Sequence, residues 1–148
     1  MPPSESANAY DLRRFLEAQE LVIETVLSEL KSGQKRTHWM WFIFPQIDGL
    51  GSSSMAKHYA IKGLGEAQAY LAHPVLGPRL IECAEAVMQV EGKSARQMLG
   101  SPDDVKLRSC ATLFAYVTSG DSVFERLLAK YFPDGHDVKT LQLLDESC

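Results

Sequence analysis

A chain of 148 residues has the commonest size for one domain, and at that length folding buries about 70% of the surface an unfolded chain exposes, so no disulfide or metal staple is required. Its 45% apolar and 23% charged residues exclude a disordered protein. The formal charge of −4, from 15 basic and 19 acidic residues, gives no long-range attraction to phosphate backbones and argues against nucleic acid as the partner.

Residues 1–9, rich in Pro, Ser and Ala, lack the basic start and apolar core of a signal peptide and are expected to be a frayed, disordered tail ahead of one folded unit over 10–148. Cys83 and Cys110 fall in apolar, helix-patterned segments and Cys148 is the last residue given. That is no disulfide framework, and it predicts a reducing compartment, the cytoplasm. The longest apolar run, Trp39–Phe44, is far short of the ~20 residues a membrane-spanning helix needs, so no membrane is expected as a partner.

From Leu12 to Leu30 the apolar residues Leu12, Phe15, Leu16, Val22, Ile23, Val26, Leu27 and Leu30 read as one amphipathic stripe, with Asp11 to cap the helix and Gly33 to end it. A basic connector with Lys35 and Arg36 leads into Trp39–Phe44, which by periodicity alone is either a buried strand or a helical turn. The turn cluster from Asp48 to Ser54 then feeds a short helix containing Met55 and Tyr59.

Two further helices, Glu66–Ala72 and Leu76–Val90, are divided by His73-Pro74, where the histidine is expected to serve a turn. A short helix follows at Ser94–Leu99. Ser101-Pro102-Asp103-Asp104 reads as a cap, a first-position proline and two acids favoured by the helix dipole, opening a helix to about Thr118. This helix is apolar on most sides and is expected at the centre. A capping box at Ser122–Glu125 opens the next helix, and a last one runs near Asp137–Leu144. The pattern predicts an all-α single compact domain of about seven or eight short-to-medium helices around a central apolar helix.

The residues suited to ligand binding concentrate between His38 and Tyr59. Lys35, Arg36 and His38 place cationic or hydrogen-bonding groups beside Trp39 and Trp41, on whose faces a base could stack. The plainer reading has Trp41, Phe42 and Phe44 anchoring the core and the cations solvated. Gln46 and Asp48 adjoin the Gly49–Ser54 loop, where glycines let backbone approach an anion and the amides near Gly51 and Ser52 are expected to hold its oxygens. The loop lacks the lysine of a phosphate-binding P-loop, and a serine-capped turn explains it equally.

Lys106, Ser109, Thr112 and Tyr116 share one face of the central helix, to line a pocket or to meet solvent. Asp103 and Asp104 are assigned no catalysis. His38, His58, His73 and His136 lack metal-ligand spacing, so no metal is expected, and no motif names a cofactor, which stays unknown.

The runs Thr37–Gln46, Gly49–Ser52, Ala69–Gly77, Lys106–Ser109 and Thr112–Phe114 resemble the bacterial domain-of-unknown-function family numbered 1810, whose members are often labelled calpastatin-like. The resemblance spans nearly the whole chain. It implies an all-helical domain, and with it a helical turn at Trp39–Phe44, but it carries no catalytic residues. Calpastatin is a disordered calpain inhibitor, so the label does not suit a packed domain. The expected role is binding, or binding and processing, of a nucleotide-like or other anionic metabolite where the His38 region meets the Lys106 face. The alternative is a protein-interaction module presenting a Trp/Phe surface from the same region.

Overall fold

The helix signals of the sequence are realised as ten helices among the described residues, 10–147, of the computed structural model. In chain order they are α1 (Arg13–Glu20), α2 (Ile23–Ser32), α3 (Met40–Ile43), α4 (Ser54–His58), α5 (Leu64–Ala72), α6 (Leu76–Gln89), α7 (Ala95–Leu99), α8 (Asp103–Val117), α9 (Val123–Tyr131) and α10 (Val138–Ser147). The expected tail at 1–9 and Cys148 lie outside the described residues. No strand is found among those described, only an isolated parallel bridge between Ile47 and Ile61.

The count exceeds the expected seven or eight for two reasons. The one-turn α3 is a separate element, and the first stripe is two helices, broken at Leu21, which is 90% exposed. The stripe already has a five-residue gap between Leu16 and Val22. Buried Gln19 occupies it, its Nε2 donating to the Phe42 carbonyl (2.7 Å) and the Tyr70 hydroxyl (2.9 Å). A polar side chain fully matched inside the core thus replaces the missing leucine.

Several boundary signals hold. Gly33 closes α2 at φ 76°, where a side chain would be strained, and the Ser122 side chain accepts from the Glu125 N–H; α7 also carries a capping box of Ser94 and Gln97, not expected from the sequence. His73 serves the turn expected of it, its Nδ1 accepting from the Val75 and Leu76 amides at the start of α6. Two expectations fail. Asp11 does not cap α1; it sits at φ +51° and Leu12 is the cap residue. Pro102, not Ser101, precedes the first residue of α8, and no side chain caps it, although both acids do lie in the first turn.

As expected, α8 is central: it packs against α5, α7, α9 and α10. Leu107, Cys110, Ala111, Leu113 and Phe114 are buried in it, and an aromatic series runs across the domain from Phe15 through Tyr70 and Phe114 to Phe124, with ring centroids 5.0, 5.5 and 5.7 Å apart. Burial pushes the Cys83 thiol up to about 12 and raises that of Cys110, so both are inert core residues. None of the described helices is long and apolar enough to cross a membrane.

The α5–α6 corner leaves no room for a side chain at Gly77. A Cβ there would meet the Leu71 carbonyl oxygen at 2.2 Å, and both partners are backbone. Gly77→Ala should therefore destabilise the domain by about 3 kcal/mol, read as a lower urea midpoint with an unchanged slope.

Candidate functional site

The site region is organised from beneath by Glu29, a buried carboxylate on α2. Oε1 accepts from the backbone amides of Arg36 (2.8 Å) and Thr37 (3.1 Å) and from the Trp39 indole (2.9 Å), and Oε2 from the Thr37 hydroxyl (2.7 Å). Burial alone would raise its pKa, but these donors outweigh it and hold the carboxyl down at about 2. Four contacts to one acid give the connector a single path, and the Lys35 amide, donating to the Met98 carbonyl at 2.8 Å, ties it to α7.

That path brings Lys35 to the start of α8. Its ammonium lies 3.0 Å from Asp103 Oδ2 and 5.0 Å from the centre of the Trp39 ring, while Lys106 Nζ lies 3.6 Å from Asp103 Oδ1 and 5.3 Å from the centre of the Trp41 ring. Both ammonium groups therefore flank one carboxylate. Asp103, explained in the sequence by the helix dipole alone, is the hinge of the cluster. The Lys35 side chain is only 8% exposed, that of Lys106 24%.

The tryptophans exchange the roles expected of them. Trp39 is 1% exposed and hydrogen-bonded to Glu29, so it belongs to the core and presents no stacking face. Trp41 is half-buried, with Lys106 over its ring and no hydrogen bond to its indole N–H among the described residues. Arg36 and His38 are exposed on the same connector. Lys35 and Lys106 thus share the single carboxylate of Asp103, with Arg36 exposed on the adjoining connector.

The polar face of α8 divides. Lys106 turns to the tryptophan run, but Ser109 and Thr112 are buried under the start of α10. Thr112 Oγ1 donates to the Arg108 carbonyl (2.8 Å) and accepts from the Asp137 amide (2.9 Å). The Ser109 hydroxyl lies within reach of the Val105 carbonyl (3.2 Å) and Asp137 Oδ2 (3.4 Å). Both hydroxyls are occupied in joining helices. Tyr116, the last of the face, is half-exposed.

The 46–52 loop makes no hydrogen bond or ion pair to Lys106 among the described residues. Gln46 and Asp48 use their backbone groups to pair with Ile61 (2.8 and 2.7 Å). Gly51 and Ser52 are exposed, and Ser53, not Ser52, caps α4, accepting from the Ala56 amide. Gly51 is required for packing, since a Cβ there would meet that of Ala56 at 2.5 Å.

The family model described as a protein of unknown function, DUF1810, matches residues 9–144. The chain belongs to that family. The crystal structure of the conserved hypothetical protein Rv1873 from Mycobacterium tuberculosis is similar to this DUF1810 chain at 52% identity and a TM-score of 0.90, covering 93% of this chain and 98% of its own. No curated protein matches it. The kinship fixes the fold of the DUF1810 chain and names no reaction.

Two substitutions test this architecture. A carboxylate whose pKa is depressed on folding contributes stability that is complete above its unfolded pKa and is lost as the pH falls through the folded one. Glu29→Gln should therefore cost about 3 kcal/mol at pH 7 and flatten the loss of stability that the native chain suffers between pH 4.5 and about 2. Thr112→Val, which removes the acceptor of the Asp137 amide, should cost about 1–2 kcal/mol and speed hydrogen exchange in α10 selectively.

Proposed function

We propose that this domain binds a small anionic metabolite with a flat ring, of the nucleotide class, at the Lys35–Trp41–Lys106 cluster. The observation that carries the reading is the pair of ammonium groups converging on the single carboxylate of Asp103 beside the half-open Trp41 ring. Lys106 can swing from Asp103 to an incoming phosphate without leaving a charge unpaired, because Lys35 stays on the acid. The Trp41 face and its free N–H then meet the ring and a polar edge of the ligand. Arg36 adds a cation and His38 a hydrogen-bonding ring to the exposed rim.

Relative to the sequence expectation, the stacking residue becomes Trp41 and the hydroxyls of Ser109 and Thr112 drop out of the site. The interaction-module alternative has less support. Trp39, Phe42 and Phe44 are core residues, which leaves Trp41 as that run's sole aromatic contribution to a surface.

Thermal unfolding and tryptophan fluorescence with ATP, ADP-ribose, nicotinamide dinucleotides and inorganic phosphate test the reading. A nucleotide at about 100 times its dissociation constant should stabilise the chain by ~2.7 kcal/mol. It should also quench Trp41, with both effects lost in Lys106→Ala and Trp41→Leu and retained in Gln46→Ala. Absence of any shift across the panel would overturn it.

A further inference from the structure

A concavity that shares no residue with the Trp41 cluster lies between the start of α1 and the end of α4. It measures about 470 Å³ and is lined by Asp11, Arg13, Arg14, Glu17, His58 and Tyr59. That volume lies within the range of small-molecule sites. Its walls are held by one guanidinium. Arg14 donates from Nε to the His58 carbonyl (2.8 Å), from Nη1 to those of Tyr10 (2.7 Å) and Asp11 (2.8 Å), and from Nη2 to that of Ala60 (2.9 Å).

Behind it Glu66, whose side chain is fully buried, sets Oε2 2.9 Å from Arg14 Nη1 as an ion pair outside hydrogen-bond geometry, while Oε1 accepts from the Lys62 amide. Arg14 is thereby neutralised, and its donors are spent on pinning both rims. The floor is equally fixed: the Tyr59 ring packs against Phe42 (5.4 Å) and Phe15 (5.8 Å), with the His58 ring edge-on to it at 4.6 Å. Asp11 turns the chain into α1 at φ +51°, a left-handed conformation that aspartate adopts more readily than most side chains.

Within this rigid frame the side chains of Arg13, Asp11 and Glu17 make no hydrogen bond or ion pair among the described residues. Two carboxylates and one guanidinium leave the lining one negative charge in excess. We propose that the concavity binds a small zwitterion of net positive charge, of the basic amino acid class. Its carboxylate docks on the planar fork of Arg13, and its ammonium groups lie between Asp11, Glu17 and the face of Tyr59.

The test is amide NMR on the full chain titrated with L-lysine, its Nα-acetyl derivative, its carboxamide, L-glutamate and inorganic phosphate. L-lysine should give saturable shifts confined to residues 10–18 and 58–60. The two blocked derivatives should bind at least about tenfold more weakly, as should L-lysine to Arg13→Ala and Glu17→Gln, both exposed positions whose thermal midpoints should not move. Lys106→Ala should leave this binding intact, which separates it from the nucleotide site. No saturable shift by ~10 mM, equal response to the blocked forms, or undiminished binding in either variant would overturn the proposal.

Discussion

The arrangement of the site depends on one buried acid. Glu29 accepts four hydrogen bonds from three consecutive features of the connector, and an ionised carboxylate enclosed by protein is tolerable only when such donors are all in place. The connector therefore cannot relax without stranding a charge. Its course seats Trp39 in the core, turns Trp41 outward two residues later, and delivers Lys35 to Asp103. A local polar constraint, not apolar packing alone, decides which indole is structural and which is free.

Arg14 and Glu66 act in the same manner at the other side of the Trp39–Phe44 run. There too a buried charge is paired, and the guanidinium donates to backbone carbonyls of separate segments, so a single side chain fixes the spacing between 10–11 and 58–60. Such pairs do not have to add net stability to matter; they select one geometry among several that an apolar core would accept.

Much of the fold is legible in the sequence because apolar periodicity and capping residues act locally. The centrality of α8, the stop at Gly33 and the turn at His73 are all of this kind. What is not legible requires tertiary partners. The break at Leu21 depends on Gln19 finding Phe42 and Tyr70, and the family resemblance, not periodicity, identifies α3 as helical. The convergence of Lys106 with the tryptophan run is readable in outline, but Ser109 and Thr112 carry the same spacing signal while serving α10. A polar residue on an apolar helix looks identical in sequence whether its partner is a ligand or a neighbouring helix. Glu66, four residues before Tyr70 on a buried face, is the one available hint of the Arg14 network, since a buried acid requires a cation.

The Asp137 cluster bears on how the last helix finds its place. An amphipathic helix on an apolar groove can slide by a turn at small cost, one leucine standing in for another. Here the Asp137 amide must reach Thr112 while its carboxylate accepts from the Thr140 amide and hydroxyl and stays near Ser109. Only one axial and rotational setting satisfies all of these at once, so the cluster works like a key in a keyway. The apolar face supplies the attraction, and two hydroxyls and one aspartate supply the register.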